Sequence, residues 1–281
     1  MGERAARTTT ASPGRAAPSP AKGSKTDGER PLIGLSRQIA LRRELETVAN
    51  NIANLNTTGY KADNSVFEEF LMPGARHDRF QGADRRLSYV HDRATWHDFR
   101  PGPMQRTGNP LDVAIDGDAF LVVQTPRGER YTRNGALQIN ATGDLVTSEG
   151  HQVLGDGGPI QFQTTDNAIS INEDGSITVR EGGSSKSDSA RGRLRLVRFD
   201  SVTQLKKDGS SLFSAPDGIV PQAPQKVRVV QGTLEQSNVR SVIEMARMVE
   251  VTRTYTNIAS ILQQHHDQRR NAIDKLAEVP N

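Results

Sequence analysis

The residue types that most often carry chemistry are few and poorly spaced in this 281-residue chain. Cysteine is absent, which excludes a thiol nucleophile, a disulfide and a cysteine-based zinc site. His77, His91 and His97 lie in a charged segment without the spacing that places two imidazoles on one helical face. His265 and His266 are adjacent in a helical stretch and point about 100° apart. We interpret the histidines as solvated side chains and predict no metal centre.

Two short glycine-containing motifs also fall short of a binding site. Residues 172–175 (Asn-Glu-Asp-Gly) faintly resemble a calcium loop, but Ser170 stands where the first acidic ligand is needed. Residues 155–158 are rich in glycine, yet Pro159 follows them rather than a helix whose N-terminus would hold a phosphate. We therefore predict no catalytic residue, no cofactor-binding residue and no metal ligand, and we expect a protein that is not an enzyme.

The densest basic stretch is residues 191–198, in which Arg191, Arg193 and Arg195 share one face of a predicted strand. Such a face can bind phosphates, but this one lacks the interleaved aromatic side chains on which single-stranded nucleic acids stack. One alternative is an exposed sheet face with no ligand. Another is contact with acidic surfaces of neighbouring subunits.

The formal charge of +3 comes from 36 basic and 33 acidic residues, and its excess lies within the first thirty residues. Residues 31–281 carry equal numbers of basic and acidic side chains. Because residues 1–30 contain no Leu, Ile, Val or Phe, we predict that they form a disordered basic tail. The tail either touches nucleic acid or an export machine, or it is a tolerated extension or the product of a start codon placed too far upstream.

Long helices are predicted near the two ends of the chain. Apolar residues with alternating spacings of three and four form one face of each helix. In the first helix this row is Leu41, Leu45, Val48, Ile52 and Leu55. In the second it is Met248, Val251, Tyr255, Ile258 and Leu262. The simplest arrangement pairs the two rows as a helix-packing interface.

Between the helices the apolar period changes from about 3.5 to 2, and short β-rich runs alternate with turn signals. Asn134-Gly135 and Asp174-Gly175 are the sharpest of these signals and predict hairpin turns. Residues 60–100 are charged and irregular, which favours an extended connector. No apolar run approaches the ~18 residues of a membrane-spanning helix, so no membrane span is expected.

We therefore predict an α+β fold, in which long N- and C-terminal helices pair as a coiled-coil-like discontinuous domain and an all-β, hairpin-rich domain is inserted between them. The predicted parts are a disordered basic tail (1–30), an N-terminal helix (31–59), an extended connector (60–100), an all-β domain (101–232) and a C-terminal helix (233–281).

Three parts of the chain resemble the family of flagellar basal-body rod and hook proteins. Residues 49–61 are similar to the family's N-terminal signature, here Asn50, Asn51, Asn54, Asn56, Thr58, Gly59 and Tyr60. Residues 109–120 and 130–135 resemble its first β-domain segment, and residues 234–251 resemble its C-terminal helix entry. Residues 35–38 and 92–96 further resemble proximal-rod members.

The resemblance implies a structural subunit of the proximal rod, which self-assembles with other axial proteins into the drive shaft for motility. It implies proximal and distal rod proteins, copies of itself and the flagellar type III export apparatus as partners, without nucleic acid. It also implies a place in the periplasmic basal body, reached without a cleaved signal peptide. The alternatives are a distal-rod protein or, in a different class, a β-domain binding module with a basic nucleic-acid-binding arm.

Two asparagines of the signature suggest a contact between subunits. Asn50 and Asn54 lie one helical turn apart and outside the apolar row of the first helix. We hypothesise that they hydrogen-bond to a helix of a neighbouring subunit, while the apolar row meets the C-terminal helix of the same chain. The alternative is that both are helix-end amides that face solvent.

Overall fold

Long helices and short antiparallel strands make up the described part of the computed structural model, residues 29–72, 87–181, 188–209 and 211–277. The elements in chain order are α1 (Glu29–Ala53), β1 (Asp63–Met72), β2 (Leu87–His97), β3 (Met104–Arg106), β4 (Val113–Asp116), β5 (Phe120–Thr125), β6 (Gly128–Thr132), β7 (Leu137–Ile139), β8 (Leu145–Thr147), β9 (Gln152–Gly155), β10 (Gly158–Pro159), β11 (Asp166–Ile171), β12 (Ser176–Glu181), β13 (Asp188–Arg193), β14 (Leu196–Val197), β15 (Lys206–Lys207), β16 (Leu212–Ser214), β17 (Arg228–Gln231), β18 (Thr233–Glu235) and α2 (Ser241–Ala277).

The helices α1 and α2 pack side by side in antiparallel orientation. Near the start of α1, a Cβ added to Gly34 would lie 2.7 Å from Cδ2 of Leu262, past the middle of α2. Farther along α1, Glu44 pairs with Arg247, early in α2, at 2.9 Å. At about 1.5 Å per residue, the 25 residues of α1 span about 37 Å and the 37 residues of α2 about 55 Å. Whether the pair has coiled-coil geometry stays a prediction.

The predicted helix-packing residues differ in burial. Val48 and Val251 are buried. Seven others are half-buried, namely Leu41, Leu45, Ile52, Leu55, Tyr255, Ile258 and Leu262. Met248 is 39% exposed, because at this turn of α2 the half-buried Arg247 faces α1 and pairs with Glu44.

Strands β1 and β2 occupy most of the segment predicted as an extended connector, and they pair antiparallel from Asp63↔His97 to Met72↔Leu87. The register shifts between Val66 and Phe67. The chain is extended there, as expected, but its backbone hydrogen bonds are made within a ribbon rather than with water. The charge of the segment hid this pairing, because a two-stranded ribbon keeps much of its surface in solvent and does not need alternating apolar residues.

The largest sheet in the described residues has the strand order β15-β16-β6-β5-β9-β8-β7, with β10 on β9 and β14 on β5. Strand β5 lies at its centre and is buried on both faces, since Leu121 and Val123 face one apolar cluster and Phe120 and Val122 face the other. Strands β11, β12 and β13 form a separate sheet. Strand β4 pairs with β17, and β3 pairs with β18.

The two strongest turn signals have different outcomes. Asp174-Gly175 lies in the turn between β11 and β12, which pair antiparallel. Asn134-Gly135 does not form a hairpin, because β6 pairs with β5 while β7 pairs with β8. Its glycine instead meets β4: the amide of Val113 donates to the Gly135 carbonyl at 3.0 Å, and a Cβ on Gly135 would lie 1.7 Å from Val113 O.

Three predicted boundaries also move. Residues 1–28 of the predicted tail lie outside the described residues, and α1 already begins at Glu29. The first helix ends at Ala53, where a turn replaces the last residues of the predicted 31–59 segment. The predicted C-terminal helix begins eight residues late, at Ser241, because 233–235 pair with β3 as β18. Its last four residues, 278–281, lie outside the described residues.

Candidate functional site, a buried polar junction

The end of α1 meets the strands around a set of largely buried polar side chains, which we call the junction. Its members are Asn51, Tyr60, Lys61, Asp63, His97, Arg133, Lys207 and Glu235. They come from α1, the turn after it, β1, β2, β15, β18 and the residue after β6. Lys61 and Tyr60 are completely buried. A buried ammonium group requires a partner, and the partners in the junction are arranged around two carboxylates.

A tight turn brings the chain from α1 into the junction. The amide of Thr57 donates to Asn54 O at 3.2 Å, and Gly59 then adopts a φ of +68°. The Gly59 amide donates to the main-chain carbonyl of Glu235 at 2.8 Å. A Cβ on Gly59 would lie 2.4 Å from the backbone of Arg133. Both the left-handed conformation and this close approach require glycine.

Asp63 is the first of the two carboxylates. Its Oδ1 lies 2.7 Å from His97 Nδ1, and Lys207 Nζ donates to Oδ1 at 3.1 Å and to Oδ2 at 2.9 Å. The Tyr60 hydroxyl donates to Oδ2 at 3.4 Å. The Asn51 side chain bonds to the Asp63 backbone twice, donating to its carbonyl at 2.8 Å and accepting from its amide at 2.9 Å. Asp63 therefore joins α1, β1, β2 and β15.

Glu235 is the second carboxylate. Its Oε1 accepts from Lys61 Nζ at 2.6 Å and from the Gly102 amide at 3.0 Å. Its Oε2 lies 3.4 Å from Arg133 Nη1. Lys61 Nζ also donates to the Arg100 carbonyl at 2.9 Å. Glu235 thus connects the residues just before the ribbon to the end of β6 in the main sheet, through contacts between residues far apart in the sequence.

Burial and charge shift the protonation equilibria of the junction in opposite directions. Burial lowers the pKa of Lys61, although the Glu235 carboxylate opposes that shift. Burial also lowers the pKa of Lys207. Burial alone would raise the pKa of Asp63, but the hydrogen bond from His97 and the ammonium group of Lys207 outweigh it, so the pKa lies below its usual value. Burial and the neighbouring Asp63 raise the pKa of Tyr60.

We expect the lowered pKa of Asp63 to make the fold sensitive to acid. The unfolded chain takes up a proton at a higher pH than the native carboxylate does, so the stabilisation is complete above the unfolded pKa, near 4, and is lost as the pH falls through the lower native value. Urea midpoints measured from about pH 7 to about pH 3 should fall less steeply for Asp63→Asn than for the wild type. Asp116→Asn, which removes an exposed pair with Arg228, is the control and should keep the wild-type slope. Equal slopes for Asp63→Asn and the wild type would contradict this assignment.

The polar side chains of the junction connect several elements of the fold. Asp63 and His97 form a pair suited elsewhere to acid–base chemistry, but Asp63 is also bonded to Lys207. The rings of Phe99 and Phe213 lie 6.1 and 5.7 Å from the imidazole, centroid to centroid. Among the residues that the structure describes, no three His, Cys, Asp or Glu side chains are grouped so that they could hold a metal ion.

The signature residues lie in or beside the junction. Asn51 and Tyr60 are inside it, and the Tyr60 hydroxyl donates to Asn51 Oδ1 at 3.2 Å. Thr58 links the turn to the main sheet, since its hydroxyl donates to Asn134 Oδ1 at 2.7 Å. Asn56 is exposed at the tip of the turn.

Asn50 and Asn54 are bonded to each other. Asn54 Nδ2 donates to both the carbonyl and the side-chain oxygen of Asn50 at 2.9 Å. Asn50 Nδ2 lies 3.5 Å from Asp63 Oδ2. The pair therefore closes the last turn of α1 and is partly accessible at the surface, and its contact with a neighbouring subunit stays a prediction.

The basic stretch meets acidic side chains of its own chain. Arg191 pairs with Asp166 at 2.5 Å and with Glu181 at 2.8 Å. Arg193 pairs with Asp174 at 2.6 Å, and Arg195 pairs with Glu129 at 2.9 Å. Each arginine of this face therefore has an acidic partner within the chain.

Sequence analysis gave no role to most of the charged junction residues. The prediction that the histidines are solvated is wrong for His97, which is buried, as are Asp63, Arg133 and Glu235. The available signal was position, because Lys61 ends the signature while Arg133 and Glu235 lie in the other two resembling segments. Lys207 and His97 offered no such signal.

The comparisons with known families match several of the segments that contribute to the junction. Residues 32–61 match the model of the flagella basal body rod protein. Residues 114–179 match the D1 domain of the flagellar hook protein FlgE/F/G, and residues 230–274 match the C-terminal region of the flagellar basal body rod FlgEFG protein. The three matches contain Lys61, Arg133 and Glu235, respectively.

Individual relatives extend the similarity over most of the chain. The flagellar basal-body rod protein FlgF of Caulobacter vibrioides is 38% identical over 250 residues, which cover 88% of this chain and 97% of the relative. FlgF of Mesorhizobium japonicum is 33% identical over 87% and 96% of the two chains. The flagellar basal-body rod protein FlgG of Borreliella burgdorferi is 32% identical over 78% and 88%. With similarity of this extent, the chain belongs to the family of flagellar basal-body rod proteins.

Proposed function

We propose that this chain is a structural subunit of the proximal flagellar rod, which assembles with other rod proteins and with copies of itself to transmit torque. The observation that carries the proposal is its similarity to relatives named FlgF over nearly nine-tenths of the chain. The junction supports it physically, because a subunit that transmits torque needs its helices and its strands fixed to each other. Asp63 and Glu235 each bind side chains from different parts of the fold and so fix these parts to one another.

Exposed aliphatic side chains on α2 support packing against neighbouring helices. Val242, Met245 and Val249 are 78%, 52% and 50% exposed, and their spacing of three and four places them on one face of the helix. That face lies opposite Val251 and Glu244, which are buried on the side toward the rest of the chain. An apolar row on the outer side of a helix is suited to a further helix.

The proposed location is the periplasmic part of the basal body, reached through the flagellar type III apparatus without cleavage of a signal peptide. The absence of cysteine suits a chain that passes through a narrow channel unfolded, since no disulfide can form in it. Neither helix in the described residues combines the length and apolar character needed to cross a membrane.

Deletion of the gene, followed by complementation, tests the proposal. A deletion strain should lose swimming and its basal bodies should lack a complete rod, and the full chain expressed in trans should restore both. Full motility in the deletion strain would contradict a structural role in the rod.

The same assay tests the predicted contact between subunits. The double variant Asn50→Ala/Asn54→Ala should fail to restore full swimming, because it removes two surface amides that a neighbouring helix would bind. Two of the hydrogen bonds lost within the chain are exposed, whereas those from Asn50 to Asp63 and from Thr57 to Asn54 are partly buried. The free energy of unfolding of the purified variant should therefore fall by about 1–3 kcal/mol. Asn56→Ala, at the exposed tip of the turn, is the matched control and should swim normally. Normal swimming of the double variant would exclude the contact.

Two other functions are separable by experiment. Relatives named FlgG also match, so a distal-rod position is the nearest alternative.

If the chain were instead a nucleic-acid-binding module, removal of residues 1–30 should abolish DNA binding that weakens steeply with salt. We expect no such binding in either the full or the shortened chain.

A further inference from the structure

Three charged side chains are enclosed together at the centre of the junction. Lys61 and Glu235 have side chains that are 0% exposed, and the Arg133 side chain is 4% exposed. Two cations therefore share one carboxylate in a site without solvent. Arg133 also donates to main-chain oxygens, from Nη2 to Gly117 O at 2.6 Å and from Nη1 to Ile115 O at 3.3 Å, and the Gly102 amide donates to Glu235 Oε1 at 3.0 Å.

The three residues come from distant parts of the chain. Lys61 and Glu235 are separated by 174 positions, and Arg133 and Glu235 by 102. Glu235 reaches the site on β18, whose partner strand is β3. On the other side of the site, the Gly59 amide is bonded to the Glu235 carbonyl. The turn after α1 and strand β18 therefore share both a main-chain and a side-chain contact.

The shared carboxylate makes these contacts depend on one another. If residues 54–63 docked onto the sheet without β18, Lys61 and Arg133 would be buried as two cations without the one carboxylate that is bonded to both. Removing one partner of a buried ion pair shifts a folding equilibrium by about 100-fold or more, because the other charge stays desolvated. Docking of the turn without β18 in place is thus strongly opposed.

We propose that Lys61, Arg133 and Glu235 form a charge latch, through which the turn after α1 docks onto the sheet only when strand β18 is in place. The latch makes closure of the junction conditional on residues from both ends of the chain. In a chain that folds after passing through a channel, the N-terminal helix stays undocked until β18 has arrived. The main sheet does not depend on the latch, since its central strand β5 is held by its own apolar clusters.

Hydrogen exchange of the purified full chain, followed by mass spectrometry of its peptides, tests the latch. In Glu235→Gln, amides of residues 54–63 and of residues 233–240 should both exchange about 100-fold faster or more, while those of β5 and β6 keep their protection. Lys61→Met should have a smaller effect, because Glu235 keeps Arg133 and the Gly102 amide. The double variant Lys61→Met/Glu235→Gln should be better protected in both segments than Glu235→Gln alone, since it buries one cation fewer.

The matched control is Glu129→Gln, the same substitution in the partly exposed pair with Arg195, and it should leave both segments unchanged. Wild-type protection in Glu235→Gln would overturn the latch, and so would faster exchange confined to residues 233–240. If the β5 and β6 amides of Glu235→Gln also exchange faster than in the wild type, the double variant Lys61→Met/Glu235→Gln must restore the slow exchange of β5 and β6. A double variant no better protected than Glu235→Gln would equally overturn the proposal.

Discussion

Replacement of Gly59 by alanine is expected to lower the free energy of unfolding by about 2–5 kcal/mol, the sum of a strained backbone and an overpacked site. Gly59 has a φ of +68°, which an L-amino acid with a Cβ adopts only at a cost. The new Cβ would also lie 2.4 Å from main-chain atoms of both Arg133 and Asn134, and a backbone cannot rotate away as a side chain can. The turn would have to move and break the hydrogen bond from the Gly59 amide to Glu235.

Gly108→Ala separates the two causes. Gly108 has a similar φ of +76°, but nothing lies within 4 Å of an added Cβ. The free energy of unfolding of this control should therefore fall only by the cost of the left-handed conformation, about 1–2 kcal/mol. Urea unfolding of both purified variants gives the comparison. If Gly59→Ala is no less stable than Gly108→Ala, then the turn does not approach the sheet as closely as described.

Replacement of Phe213 by alanine is the second change with a large expected effect, a loss of about 3–5 kcal/mol. Phe213 in β16 is completely buried and its ring contacts those of Phe99, Phe120 and His97 at centroid distances of 5.0, 6.1 and 5.7 Å. Alanine would leave a cavity between the end of the ribbon and the main sheet. The variant should therefore lose apolar burial and should also no longer hold the His97 ring in place next to Asp63.

The two consequences can be measured separately. Urea unfolding reports the stability, and hydrogen exchange of residues 95–100 reports whether the end of β2 stays docked. Val220→Ala is the control, since Val220 is 72% exposed and its truncation should change stability by no more than about 0.5 kcal/mol. Wild-type stability of Phe213→Ala would mean that the aromatic cluster does not hold the ribbon to the sheet.

The parts of this molecule that follow local rules could be predicted from the sequence. The spacing of Leu41, Val48 and Leu55 is that of a helical face, and the stretch from Leu41 to Ile52 falls within α1. Asp174-Gly175 predicts a turn by its own φ preferences, and a turn is found there. Gly135 shows the limit of that reasoning, because the same residue also serves where two backbones approach closely.

The junction could not be predicted, because its residues are charged and far apart in the sequence. Lys and Glu are residue types that usually lie in solvent, so neither Lys61 nor Glu235 is predicted to be buried. They become a buried pair only because the fold brings together two positions that are 174 residues apart. Similarly, β1 and β2 lie in a charged segment whose pairing partners are set by the fold rather than by an apolar period. The resemblance to a family located the signature, but it assigned no contact to Asp63 or Lys207.

The most direct test of the proposed function is electron cryo-microscopy of basal bodies purified from a strain in which this chain carries a compact C-terminal tag. We expect density for the tag at the part of the rod nearest the inner-membrane ring, with helices of adjacent subunits packed against the exposed row of Val242, Met245 and Val249. Tag density along the distal rod would contradict the proximal assignment. Complete rods that contain no copy of the chain would contradict the structural role itself.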